Sequence, residues 1–164
     1  MTLASNISVL KLVPILKECS EDQLRLLAFS AEEVRLPAGH RIFNEGDRAD
    51  GGLVICSGRI QLETGLGASA VKQGVYAAGT LLGENALLVD AGVRPVSAVA
   101  LEECSILKIS RSLFLRMLQE FPEMAVRLFQ EKAADFKKMT DSLSRAERRL
   151  SYAGTLSDQL HRKE

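Results

Sequence analysis

The sequence predicts a mainly β domain with flanking helices, its strands arranged as an antiparallel roll or barrel and followed by a two-helix C-terminal segment. Three observations predict it. From Glu33 to Ile109, short β-type runs alternate with glycine-bearing turns. On either side of that stretch, apolar residues recur at helical spacing. The 164 residues balance 21 Lys and Arg against 21 Asp and Glu, and 46% are hydrophobic, which suits one soluble domain with its own core.

The elements follow in order. Ser8 to Phe29 reads as helical turns split by Pro14, and Ser20-Glu21-Asp22-Gln23 fits an N-cap with Gln23 at the third helical position. Strands are expected at Val34–Leu36, Arg41–Phe43, Leu53–Cys56 and Arg59–Thr64, the last alternating with period two. A glycine-bearing loop at Gly65–Ser69 precedes a weaker strand over Ala70–Ala77, and Ser97–Leu101 and Ser105–Ile109 close the series. A helix then starts at Ser110 or Arg111 and carries Leu113, Phe114, Met117 and Leu118. Pro122 opens a second helix, where a missing N–H costs nothing, and Gly154 is its expected stop. The domain is thus read as 1–152, with the long helix from about 122, and 153–164 as a polar tail.

The long helix carries a seam. Phe129, Phe136, Leu143 and Leu150 recur every seven residues, with Lys132, Met139 and Ala146 between them. That repeat suits a homodimer through the 122–152 helix. Packing of the stripe onto the helix's own domain is the alternative reading.

Several function classes are disfavoured. The charge balance lacks the positive field of a nucleic-acid-coating protein. Cys19, Cys56 and Cys104 are widely spaced and odd in number, which reads as free thiols rather than a metal knuckle. His40 and His161 are far apart, so no metal is expected. No nucleophile, base and orienting group stand at a recognisable spacing, so no enzyme is expected. Met1–Leu10 shows no basic cluster before an apolar run, and no apolar stretch spans a bilayer, so a cytoplasmic location without membrane contact is expected.

The segment Gly79–Ala98 carries the candidate site. Gly83-Glu84-Asn85-Ala86-Leu87-Leu88 is read as a short helical turn whose first amides would face an anion. Arg94 would close over the same anion with a guanidinium contact, and Glu84 would accept from a sugar hydroxyl. The pair would suit a phosphosugar.

With these pieces in this order, the chain resembles the cyclic-nucleotide-binding domain family of catabolite-type transcription regulators, protein kinase regulatory subunits and gated channels. The resemblance covers roughly Val13 to Thr140. It runs through Val13-Pro14-Ile15-Leu16, Gly39, Phe43, Gly46-Asp47, Ile55, Gly58 and Gly79. It continues through Gly83–Leu88, Arg94, Ser97, Ala100, Ile109, Phe114 and Pro122. It implies a double-stranded β-helix or jelly-roll β-roll that holds cAMP or cGMP, with cAMP the more expected, and no other cofactor. It assigns the ribose 2′-hydroxyl to Glu84, the exocyclic phosphate to Arg94 and supporting amides to the turn at Asn85 and Ala86. A polar pair on the C-terminal helix matches Met139 and Thr140, of which only Thr140 keeps a hydroxyl.

Four positions depart from the family pattern. Pro95 removes a phosphate-binding N–H beside the arginine. Val96 is bulkier than the usual small residue. Gly52 replaces an apolar strand residue, and Leu82 replaces an aromatic. Two functions stay open: a nucleotide sensor that signals through its last helix, to itself or to a protein partner, and a dimerising scaffold with a degenerate pocket. The residues after the long helix hold no recognition helix with an obvious basic face, so direct DNA binding by this chain is not expected. Replacing Phe136 and Leu143 together by Asp is expected to halve the mass measured by light scattering; a surviving dimer would mean that the stripe packs within one chain.

Overall fold

The computed structural model describes residues 2–90 and 92–161, with side chains through Ser151. Two compact units are present, one ending at Met124 and the other beginning at Ala125.

The first unit opens with α1 (Leu3–Leu10), a single 3₁₀ turn (Pro14–Leu16) and α2 (Glu21–Ser30). Thr2 caps α1, and Ile7 and Leu10 lie on its buried face. The start of this helix lies ahead of the helical turns read from Ser8, because Ser5, Asn6 and Ser8 dilute its apolar pattern. A tertiary bond helps to hold it: Asn6 Nδ2 donates to Glu33 Oε2 at 3.1 Å, which holds the Glu33 carboxyl below its ordinary range. In α2 the predicted capping box forms, with Gln23 N donating to Ser20 Oγ and Ser20 N to Gln23 Oε1.

Among the described residues eight strands follow: β1 (Glu32–Leu36), β2 (Arg41–Phe43), β3 (Gly51–Ser57), β4 (Ile60–Thr64), β5 (Val71–Tyr76), β6 (Leu81–Leu82), β7 (Ser97–Ala100) and β8 (Cys104–Ser110). Between β6 and β7 lies α3 (Glu84–Leu88). The strands form two antiparallel sheets of four, in the orders β1-β8-β3-β6 and β2-β7-β4-β5. This corrects the expected roll, barrel or jelly-roll closure. Among the described residues β1 and β6 bound one open sheet and β2 and β5 bound the other, and no ladder joins their edges. The physical reason lies at those edges. β6 is only two residues long and β2 only three, with a register break between Arg41 and Phe43, so neither offers a ladder long enough to close on.

The core draws on both sheets. Leu36, Leu53, Ile55, Leu82, Cys104 and Ile106 come from the first, and Ile60, Ala98 and Ala100 from the second. β3 is buried from Gly51 through Cys56, because its inner face meets this core while helices α1 and α3 pack against it. That double burial is why it reads as a continuous apolar run. Burial pushes the Cys56 thiol up to about 11, so it is an inert core residue.

The chain crosses between sheets at Gly58, which joins β3 to β4 with φ +82°. A Cβ there would stand 2.6 Å from both Cys104 Sγ and Glu103 O. Helix α4 (Arg111–Glu120) then follows β8 directly, capped by Ser110 Oγ on Leu113 N at 3.2 Å, and buries Phe114 and Met117.

The second unit is the body of α5 (Pro122–His161). The helix starts at the predicted proline and continues through Gly154, where the sequence predicted a stop. One interior glycine costs a helix about 1 kcal/mol, which does not by itself end it. Arg162–Glu164, the end of the predicted polar tail, lie outside the described residues. Phe129, Phe136, Met139, Leu143 and Leu150 are exposed along the helix. Among the described residues no helix is long and apolar enough to cross a membrane.

Gly58→Ala is expected to lower stability by at least about 1–2 kcal/mol, the cost of a left-handed backbone with a Cβ, before the contact with Cys104 is added. Urea unfolding measures it, and an unchanged midpoint would show that the turn relaxes freely.

Candidate functional site

The site is assembled by the segment between β6 and β7. Gly83 takes a left-handed backbone, φ +78°, and forms the N-cap of α3. A Cβ at this position would lie 2.5 Å from Arg94 Nη1 and 3.1 Å from Gly51 O. Glycine is therefore required twice, for the turn and for the approach of the guanidinium. α3 seats Leu87 fully in the core, and this depends on Gly52. A Cβ on Gly52 would meet Leu82 O at 3.0 Å, Leu81 Cδ1 at 3.1 Å and Leu87 Cδ1 at 3.2 Å. The departure noted at Gly52 is thus compensated by leucines that occupy the space.

Arg94 is pinned by its backbone. Its N–H donates to Asp47 O at 2.7 Å, its carbonyl accepts from Gly46 N at 2.9 Å, and the neighbouring Val93 bridges Arg48. Next along the chain, Ser97 Oγ accepts from Glu45 N at 2.8 Å, which ties the same loops together again. The Arg94 side chain is only 9% exposed. Its guanidinium carbon lies 4.5 Å from the centroid of the Phe43 ring, within cation–π range. Its buried Nε has no hydrogen-bond partner. Burial lowers its pKa while the charges of Asp50 and Asp47 oppose that shift; a guanidinium starts so high that it stays protonated.

Gly83, Glu84, Asn85, Ala86, Arg94, Pro95 and Val96 all line one cavity of about 670 Å³. These are seven of the eight residues expected in one site, and the fold brings them together. The eighth, Thr140, lies on the helical unit, where its hydroxyl donates to Phe136 O at 3.0 Å. The amide of Ala86, expected to face the ligand, already donates to Gly83 O at 3.1 Å. This closes the first turn of a five-residue helix and removes one expected donor.

Phe43, Leu62, Tyr76, Thr80 and Leu82 also line the cavity and were not singled out as site residues. Phe43 is noted only as part of the resemblance and Leu82 only as a departure from its pattern; Leu62 and Tyr76 lie in runs that read simply as sheet, and Thr80 and Leu82 lie beside or in β6, a strand of two residues too short to leave a period-two signal. One end of the cavity is therefore polar and cationic, at Arg94 and Glu84. The rest offers Leu62, Tyr76, Leu82, Val93 and Val96 to an apolar or aromatic body. A second cavity of about 450 Å³ shares Phe43 and Arg94 and is lined by Glu32, Asp47, Arg48, Asp50 and Lys108 among others. Among the described residues no cluster of His, Cys, Asp and Glu could hold a metal ion.

Comparison with known proteins agrees with this geometry. Residues 33–121 match the family model described as "Cyclic nucleotide-binding domain", which is more than half of the chain. The "Cyclic AMP receptor protein" of Thermus thermophilus is 33% identical over 134 residues, covering 77% of this chain and 62% of that protein. The chain thus spans somewhat under two thirds of that relative's length. Among solved structures, a cyclic nucleotide-binding-like protein from Brucella abortus matches at TM-score 0.63 with 38% identity, covering 70% of this chain and 97% of that one. The N-terminal domain of a Streptomyces coelicolor transcriptional regulator matches at TM-score 0.74 with 29% identity, covering 81% and 95%. This chain thus belongs to the cyclic nucleotide-binding domain family, a family of non-catalytic regulatory modules.

Proposed function

We propose that this chain binds a cyclic purine nucleotide, cAMP in preference to cGMP, in the 670 Å³ cavity and passes its occupancy to the C-terminal helices. The observation that carries the reading is Arg94. A buried, protonated side chain with an unpartnered Nε lines a cavity large enough for a nucleotide. Burying an uncompensated charge is costly, and an anion there would repay it. Arg94 takes the exocyclic phosphate, Glu84 the ribose 2′-hydroxyl, and Tyr76, Leu62 and Val96 flank the base and sugar. The preference for cAMP rests on the similarity to a relative named for cyclic AMP.

A route for transmission exists within the first unit. α3 packs against α4, and Arg111, the first residue of α4, donates to Val89 O at 2.9 Å and pairs with Asp90 at 3.3 Å. A ligand that favours one placement of α3 therefore favours one placement of α4. The exposed Phe129, Phe136, Leu143 and Leu150, at seven-residue spacing, support a homodimer through the 122–152 helix. A cytoplasmic location and the lack of direct DNA binding belong to the same proposal.

Pro95 sets the strength of binding. It lines the cavity but offers no N–H to the phosphate. One hydrogen bond to a charged group is worth roughly 1.5–3 kcal/mol, so binding is weaker by about tenfold to a few hundredfold than with a donor at this place. Pro95 and Val96 also favour the second reading, a dimerising scaffold whose pocket no longer takes a nucleotide.

Calorimetry with cAMP and cGMP separates the two readings. The sensor reading expects saturable heat, tighter for cAMP. Arg94→Ala is expected to weaken that binding at least about tenfold while the mass by light scattering is unchanged. An affinity indifferent to Arg94 would remove the proposed phosphate contact.

A further inference from the structure

Phe43 and Arg94 are the two residues that line both cavities, so the stacked pair forms the wall between them. The two sides differ in chemistry. On one side lies the candidate nucleotide cavity with Gly83 and Glu84. On the other lie Asp47, Asp50 and Glu32, together with Arg48 and Lys108. Asp50 acts on the guanidinium most strongly through its charge, then Asp47, yet among the described residues neither reaches ion-pair distance of Arg94. Asp47 is also occupied, because its Oδ2 accepts from Asn44 N at 2.7 Å. The guanidinium is thus attracted toward Asp50 and Asp47 without being paired to either. What holds it is the aromatic face 4.5 Å away and the bare Cα of Gly83 beside Nη1.

We infer that Phe43 is a positioning residue for nucleotide binding: its ring holds the Arg94 guanidinium on the phosphate side of the wall and keeps it from pairing with Asp50 in the neighbouring cavity. This rests on the reading of the larger cavity as the nucleotide site and adds the residue that readies its arginine. Two consequences follow from the physics. An arginine held by a ring keeps its N–H groups available, so an incoming phosphate displaces no salt bridge. A ring also restrains the cation without neutralising it. Without the ring, the long side chain is free to turn toward the carboxylates, and the ligand must compete with Asp50 for it.

The experiment measures cAMP affinity by calorimetry on the whole chain for the parent and five variants. Phe43→Tyr keeps the ring and is expected to stay within about twofold of the parent. Phe43→Leu is expected to weaken binding by about threefold to thirtyfold, the range of a cation–π contact from exposed to desolvated. Adding Asp50→Asn to Phe43→Leu is expected to bring affinity back to within about threefold, since the competing carboxylate is gone. Asp50→Asn alone is expected to change little. Circular dichroism and thermal unfolding confirm that each variant folds, and Phe43→Met replaces Phe43→Leu if the latter does not. Loss of packing alone would weaken binding in Phe43→Leu and would not be rescued by Asp50→Asn.

Equal weakening by Phe43→Tyr and Phe43→Leu, no weakening by Phe43→Leu, or no rescue by Asp50→Asn overturns the positioning role while Arg94→Ala still weakens binding at least tenfold. If Arg94→Ala, the fifth variant, binds like the parent, or the parent binds neither cAMP nor cGMP, the nucleotide site itself is overturned and the role of Phe43 goes with it.

Discussion

A guanidinium taken out of water must be compensated, and around Arg94 the compensation is incomplete by design of the fold. Its backbone is pinned on both sides by the loop at Gly46 and Asp47, so the residue cannot retreat. Its side chain stacks on Phe43 and abuts Gly83, but its Nε has no partner. Asp50 and Asp47 lend distant charge without pairing. The site therefore holds a cation ready for an anion, in surroundings where water screens it poorly. The parts of the fold described above matter to function chiefly as they hold this one group in place.

Both sheets serve that end. Phe43 ends β2 in one sheet, while Gly51 and Gly52 open β3 in the other. Arg94 stacks on the first and lines one cavity with the other two, which requires the sheets to face each other across a shared core. Bare glycines on β3 let α3 settle close, with Leu87 fully buried, and so bring Gly83 to the arginine. Had either glycine carried a side chain, the leucines and the β8 carbonyl at Ile109 would have had to move. The α3 end of the site is tied in turn to α4 by Arg111. The segment that carries Gly83 and Arg94 and the start of α4 thus share one continuous set of contacts. Pro95 tempers this arrangement, because it trades a donor for a fixed backbone beside the arginine.

Much of this was legible beforehand, for identifiable reasons. The capping box at Ser20–Gln23, the Ser110 cap and Pro122 at a helix start are local chemistry, and each stands where the residues placed it. Gly83–Leu88 formed a short helix because its signal is also local. The misses were non-local. Closure into a roll could not be read, because period-two alternation says which face is buried and nothing about whether two edges meet. α1 depends on a bond from Asn6 to Glu33, 27 residues away. The stop expected at Gly154 failed because propensity is a small term that a long helix absorbs.

The sequence by itself determined most of the inventory: seven of the eight strands among the described residues, the helix starts marked by Ser20, Ser110 and Pro122, and that Glu84 and Arg94 lie in one short glycine-led segment. Those are properties of neighbouring residues and of spacing, and they survive without coordinates. Tertiary structure alone decided that the strands form two open sheets and that Ala86 spends its amide on Gly83. It alone decided that Arg94 rests on a phenylalanine 51 residues earlier in the chain, between a cavity of about 670 Å³ and a second one lined by Asp47 and Asp50. The reason is physical: a cation's partners are chosen by distance in space, and spacing along a chain fixes such distances only within a single turn or strand.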